Sequence, residues 1–427
     1  MKPTAPRAAL LLSLLAALAC GDGSPTTPEP TTPADSAPTG NSGDSTFGSA
    51  PRTLAVLGNG DVPERYTAEV AERDGWAYTS TWGGFPRGGN FGDVVKIWDA
   101  RSGTPALVDS LKVPGAQTLD DLQISDDGKL LVVATEYAGG SIIIYDRSDP
   151  ARPVQLSKFT SANTNPGVHT VKLARWNDRH YAFLSVDPGG GRHAALVIVD
   201  ITDPRAPREI LARTMGNPYV HDVFVRDGIL FTANWDDGLV LWDIGGAGRG
   251  GTVANPVQLG AVRTASYNNH PSVHNVWWFH DPRTGSKRFA FVGEENAPGQ
   301  VGVSATGDIH VVDVSDFSKP REVAFYHVDG AGTHNFHMDE ASGILYAAYY
   351  NAGVRALDVR GDLSSCTAAQ KSTDGRCDLA RMGRDVGHAL GDVPQPYTWG
   401  VHFENGKLYA SDMVHGLYVI DASPLVR

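Results

Sequence analysis

The chain has 427 residues, with 36 Lys and Arg against 48 Asp and Glu and a formal net charge of -12. No basic run interrupts this acidic balance, so nothing in it could neutralise a phosphate backbone, and the reading is of a protein without a nucleic-acid partner. With 48 Gly, 14 Tyr, 14 Phe and 9 Trp and only 20% charged residues, the composition suits short strands and tight turns rather than helical bundles.

Residues 1–20 read as an export signal. Lys2 and Arg7 form its positive end, Ala8 to Ala19 its apolar core, and Ala17-Leu18-Ala19-Cys20 a small-residue exit. The segment is too short to span a bilayer. Cys20, directly after the apolar run and before Gly21, resembles the lipobox cysteine of bacterial lipoproteins. That resemblance implies acylation at Cys20 and a lipid anchor in the outer membrane or at the cell surface. Ala17 departs from the Leu common in that pattern, and plain secretion is the alternative. Residues 21–51 are Thr, Pro, Ser, Gly and Asp with almost no large apolar side chain, so burial cannot offset their ordering entropy, and they read as a tether.

Residues 52–427 form one repeating domain. Arg52 to Leu57 reads as an orphan strand. A short apolar run ending in Asp then recurs seven times: Val94 to Asp99, Ile142 to Asp146, Leu196 to Asp200, Leu239 to Asp243, Ile309 to Asp313, Val354 to Asp358 and Leu417 to Asp421. Each run is too short for a helix, is β-branched or aromatic, and reads as a buried strand. Upstream of each lies a strand pair, clearest in His221 to Val225 and Ile229 to Ala233; downstream of most comes a turn and a further strand, such as Pro207 to Leu211. The unit is four antiparallel strands, A to D, in roughly 45 to 65 residues, which is a propeller blade. The predicted fold is all-β: a seven-bladed β-propeller of four-stranded antiparallel blades. The last repeat lacks strand D, and Arg52 to Leu57 is expected to supply it.

Leu196-Val-Ile-Val-Asp200-Ile-Thr-Asp203-Pro204 resembles the motif of the LVIVD-repeat family of bacterial surface and secreted proteins, with degenerate copies at Ser141 to Pro150, Asp308 to Phe317 and Gly416 to Pro424. The resemblance implies a β-propeller and no particular biochemistry. Beyond Cys20 the cysteines are Cys366 and Cys377, with ten residues between them. In an exported chain this pair is expected to form a disulfide that pins a surface loop.

The aspartates ending strand C are expected to accept backbone N–H groups of their own turns. Strand A carries more information: His169, His221, His274 and His334 hold one equivalent position in four consecutive blades, with Asp120 before them and Trp399 after. Strand A is innermost in a propeller, so equivalent residues surround one axis at one mouth of the channel. The ends of strand B return to that face and carry Glu136, Asp187, Asp236, Glu294, Glu295 and Asp412, with Trp82, Trp235 and Tyr350 beside them. Imidazole with carboxylate is a ligand set for a divalent transition metal, so the four histidines are candidate metal ligands. Glu136, Asp187, Asp236, Glu294, Glu295, Trp399 and Asp412 are candidate ligand-binding residues. The other reading is structural: each His lies two residues before Val171, Val223, Val276 or Phe336 and could cap the core. His337 and His402 are assigned to the opposite strand face. No nucleophile elbow, P-loop, dinucleotide fingerprint or HExxH motif occurs, and no catalytic residue is named. Two functions stay open: a monomeric, envelope-anchored recognition module for a small polar ligand, glycan or protein, touching membrane only through its anchor; or a metal-dependent oxidoreductase or hydrolase at the central funnel.

Overall fold

A computed structural model describes residues 50–427 except 138, 267, 268, 298 and 299. The expected export signal, Cys20 and nearly all of the tether lie outside the described residues. Among the described residues the chain forms seven sheets, each built on four antiparallel strands in the order A to D. Each strand A lies against the strands A of the preceding and following blades, and Tyr66–Arg73 of blade 1 lies against Thr398–Glu404 of blade 7, so the seven close into a ring.

The core is divided among the gaps between blades. In the gap between blades 4 and 5, Phe231, Leu239 and Leu241 pack on Val276, Trp278 and Val292; in that between blades 2 and 3, Val132, Ile142 and Ile144 pack on Val171, Leu184 and Val186. Strands B and C are covered on both faces, which is why they read as unbroken apolar runs such as Ser141–Asp146. Strand D lies at the rim, and Ala106–Lys112 is almost wholly exposed. Each of the seven strand-C aspartates accepts the backbone N–H two residues on, from Asp99 with Arg101 to Asp421 with Ser423, and fixes the exit turn.

The N-terminal strand does close the last blade, but not over the expected span. Val56–Gly60 pairs antiparallel with Gly416–Asp421, whereas Arg52–Thr53 pairs parallel with Asp385–Ala389 of blade 6. Between them Leu54, 3% exposed, enters the core shared by blades 6 and 7, so the chain crosses from one sheet to the next. Gly60 is required there, because a Cβ would meet the Trp98 ring at 2.4 Å. Cys366 and Cys377 are bridged, as the sequence suggests, and Cys377–Asp378 adds a parallel strand to the rim of blade 5.

Candidate functional site

Strand A shifts register at the same place in blades 3, 5 and 7: between Val168 and Thr170, Val273 and Asn275, and Thr398 and Gly400. The residues in those gaps are His169, His274 and Trp399. A bulge takes its extra residue out of the two-residue alternation and re-aims it, so these side chains need not share the face of the apolar residue two positions on. The rings converge. His169 and His221 have centroids 4.2 Å apart, His221 and His274 4.0 Å, His274 and His334 4.2 Å, and His334 and Trp399 4.1 Å. Five blades thus contribute one continuous arc of rings around the axis, and Trp235 stacks on His221 at 5.1 Å.

The arc has two electrostatic ends. Burial, reinforced by neighbouring imidazoles, holds His221 and His274 well below the usual histidine range, and burial takes His334 to about 3 although its Nδ1 donates to the Trp399 carbonyl at 2.6 Å. His169 is the reverse. Burial opposes its charge, but Asp120 at 3.5 Å, Asp187 at 4.0 Å and Glu136 at 3.0 Å prevail and raise it well above the usual range. The charged and neutral ends meet where His169 Nε2 lies 2.9 Å from His221 Nε2. Glu295, at the end of strand B in blade 5, points Oε2 to within 3.7 Å of His221 Nε2 and 3.6 Å of His274 Nε2, while its Oε1 accepts the Tyr350 hydroxyl. Burial raises its carboxyl to about 7.

Cavities lie on both sides of the arc. On the funnel side, a cup of about 390 Å³ has walls of Trp82, Trp235, Tyr350, Tyr397, Trp399 and Met413, with Glu295, Asp236, Asn296 and His270 as polar groups. On the other side the central channel, about 360 Å³, is lined by the residue after each of the four histidines, Thr170, Asp222, Asn275 and Asn335, with Asp121 from blade 2 and Glu69 from blade 1. Burial raises Glu69 to about 7 and Asp222 to about 6. A deeper layer holds Gln123, Lys172, Phe224, Trp277, His337 and His402.

The structure therefore brings together His169, His221, His274, His334, Glu136, Asp187, Glu295 and Trp399, and sets Asp236 in the cup wall, 3.0 Å from His270. Two expected residues belong elsewhere. Glu294 is fully buried and is held by Asn296 Nδ2 at 3.0 Å and by the Asp308 N–H at 3.3 Å; it neighbours Glu295 but points to the other strand face. Asp412 accepts the N–H groups of Tyr397, Val414 and His415 and organises its turn. His337 and His402 do not leave the axis as assigned: their rings lie tilted, 4.2 Å apart, deeper in the channel, because the bulge in blade 7 and the same two-against-one pairing of His334 and Asn335 with Ala348 in blade 6 put both strand parities on the axial side. Sequence reasoning passed over the ring of Glu69, Asp121 and Asp222, although the polar residue after each arc position, as in His221-Asp222 and His274-Asn275, signals it.

These features define a closed propeller with a histidine-lined axis beneath an aromatic cup. The LVIVD repeat profile matches residues 191–212 and 303–328, across strands C and D of blades 3 and 5. With its seven blades, the chain is a β-propeller that carries matches to the LVIVD repeat in two of them. No curated protein matches it. Among solved structures, the C-terminal WD40 domain of Sif2 is similar over 83% of this chain and 81% of that one, with 13% identity and a TM-score of 0.48.

Proposed function

We propose that this propeller is a recognition module whose funnel-face cup binds a small, uncharged polar ligand with a flat apolar face, such as a sugar unit of a glycan. The observation that carries this is the cup wall: five aromatic rings from blades 1, 4, 6 and 7 surround about 390 Å³, with Glu295, Asp236 and Asn296 as hydrogen-bonding groups and no Lys or Arg among the described lining residues. Such a volume fits a small molecule, aromatic faces supply stacking area, and a few fixed polar groups set orientation. An anion would meet two carboxylates and neither a Lys nor an Arg among the described lining residues. Titrating neutral mono- and disaccharides while following tryptophan fluorescence tests this. Binding by at least one sugar, weakened roughly tenfold or more in Trp82→Ala, supports it; a panel of neutral sugars that leaves fluorescence and melting temperature unchanged refutes it.

The same proposal includes the location. An export signal over residues 1–20, acylation of Cys20 and a tether over 21–51 would hold a monomeric propeller at the cell envelope, with its cup accessible. The bridged Cys366–Cys377 pair accords with an oxidising compartment. Membrane fractionation of the full chain and of Cys20→Ala checks the anchor: the variant is expected in the soluble fraction, and its retention at the membrane would count against acylation there.

A further inference from the structure

The cup accounts for the aromatic wall but not for the imidazoles beneath it. His274 is 1% exposed, and neither its Nδ1 nor its Nε2 has a hydrogen-bond partner. A buried imidazole with both nitrogens unpaired is unfavourable, and native structures keep such groups where a partner is supplied from outside the chain. Three candidate metal-ligating groups occur among the described residues, and their chemistry differs. Around Asp120, Glu136 and His169 the imidazole is already surrounded by carboxylates of opposite charge. At the far mouth, beside His402 and Glu404, Glu72 is taken by the Gly75 N–H. Only around His221, His274 and Glu295 do the imidazole Nε2 atoms and a carboxylate oxygen face a common point with one imidazole wholly unpaired.

We propose that His221 Nε2, His274 Nε2 and Glu295 Oε2 hold a divalent transition-metal ion on the propeller axis, at the floor of the cup. The three donor atoms lie within 4.8 Å of one another, with 3.7 Å and 3.6 Å from each nitrogen to the oxygen. Ligand bonds of about 2.0–2.2 Å in tetrahedral array need donors about 3.4 Å apart, so the two nitrogen–oxygen separations contract by a few tenths of an ångström. Two imidazoles and a carboxylate are the donor set of zinc and its neighbours and leave a fourth position open. Tyr350 donates its hydroxyl to Glu295 Oε1 and so orients the carboxylate, which is the outer-partner arrangement that metal sites use. His169 Nε2 lies 2.9 Å from His221 Nε2, next to the proposed ion. His169 stays fixed by Glu136 beside the open position. This ion goes beyond the sugar-binding proposal and does not depend on it, since an ion can bind whether or not any sugar does.

The test uses the purified full chain without a histidine tag, stripped with EDTA and titrated with Co²⁺ and with Zn²⁺, with absorption spectra and calorimetry as readouts. One Co²⁺ per chain with the intense visible bands of a low-coordinate nitrogen and oxygen site, displaced by Zn²⁺, is expected. His274→Asn and Glu295→Gln should each weaken binding by more than the roughly 10–100-fold that loss of an outer partner costs, while His402→Asn at the far mouth should leave it unchanged. Circular dichroism and melting temperature confirm that each variant is folded; if His274→Asn does not fold, Glu295→Gln alone decides. A wild-type chain that takes up no metal overturns the assignment. So does uptake that survives in every folded axial variant, or that is lost in His402→Asn.

Discussion

Replacing His274 by Leu should stabilise the ion-free protein, which is an uncommon expectation for a residue that is 1% exposed in a closely packed ring. A neutral imidazole carries one donor and one acceptor, and here neither is matched. Each unmatched buried group costs about 1–3 kcal/mol. Leucine removes both groups at similar volume, but it also gives up the ring contacts with His221 at 4.0 Å and His334 at 4.2 Å. The misfit of a branched aliphatic in a planar slot takes back about 1–1.5 kcal/mol. With two such groups, the balance is a gain of about 0.5–5 kcal/mol. Urea unfolding in EDTA, wild type against His274→Leu, reads it as a higher midpoint at unchanged slope. A variant destabilised by more than about 1 kcal/mol would refute the reasoning, because that is the size expected if His274 caps the core through hydrogen bonds.

Reducing the Cys366–Cys377 bridge, or replacing both cysteines by Ser, releases a loop with a sequence separation of 11. It should lower stability by about 3 kcal/mol on the chain-entropy account, read as a drop in the urea midpoint with and without reductant; an unchanged midpoint would show that the loop is held by its other contacts. His310 sets an alkaline limit. Burial opposes its charge, but Glu322 at 2.8 Å and Glu294 raise it to about 10. A raised histidine stabilises fully below its unfolded value near 6.5 and loses that contribution as pH rises through about 10. The midpoint should therefore fall between about pH 7 and 10, with a shallower fall in Glu322→Gln; identical slopes in the two proteins would remove this ion pair as the cause.

Where the sequence could be read, one physical signal was strong and repeated. The strand-C runs stand out because both of their faces are covered, and the seven terminal aspartates stand out because each turn needs the same acceptor. The equivalence of His169, His221, His274 and His334 follows from aligning those runs, and so does their convergence once the ring closes. What alternation could not reveal is the bulge, since one extra residue reverses the face of everything before it; hence His337 and His402 seem to leave the axis on paper and do not. Glu294 and Glu295 show the same limit. Adjacent residues of one type point to opposite faces, and only the pairing of Phe289–Glu294 with its neighbours decides which one reaches the imidazoles. The split of the N-terminal strand was hidden because Leu54 is a core residue at a crossing between sheets, not a position within one strand.

The two extra parallel strands make the outer rim of the wheel unequal. Arg52–Thr53 hems the outermost strand of blade 6, and Cys377–Asp378 hems that of blade 5. Both occupy backbone groups that would otherwise be free to template a foreign strand. Sideways association of two such wheels through their sheet margins is thereby steered away from that sector and toward the five blades whose margins carry no such hem among the described residues.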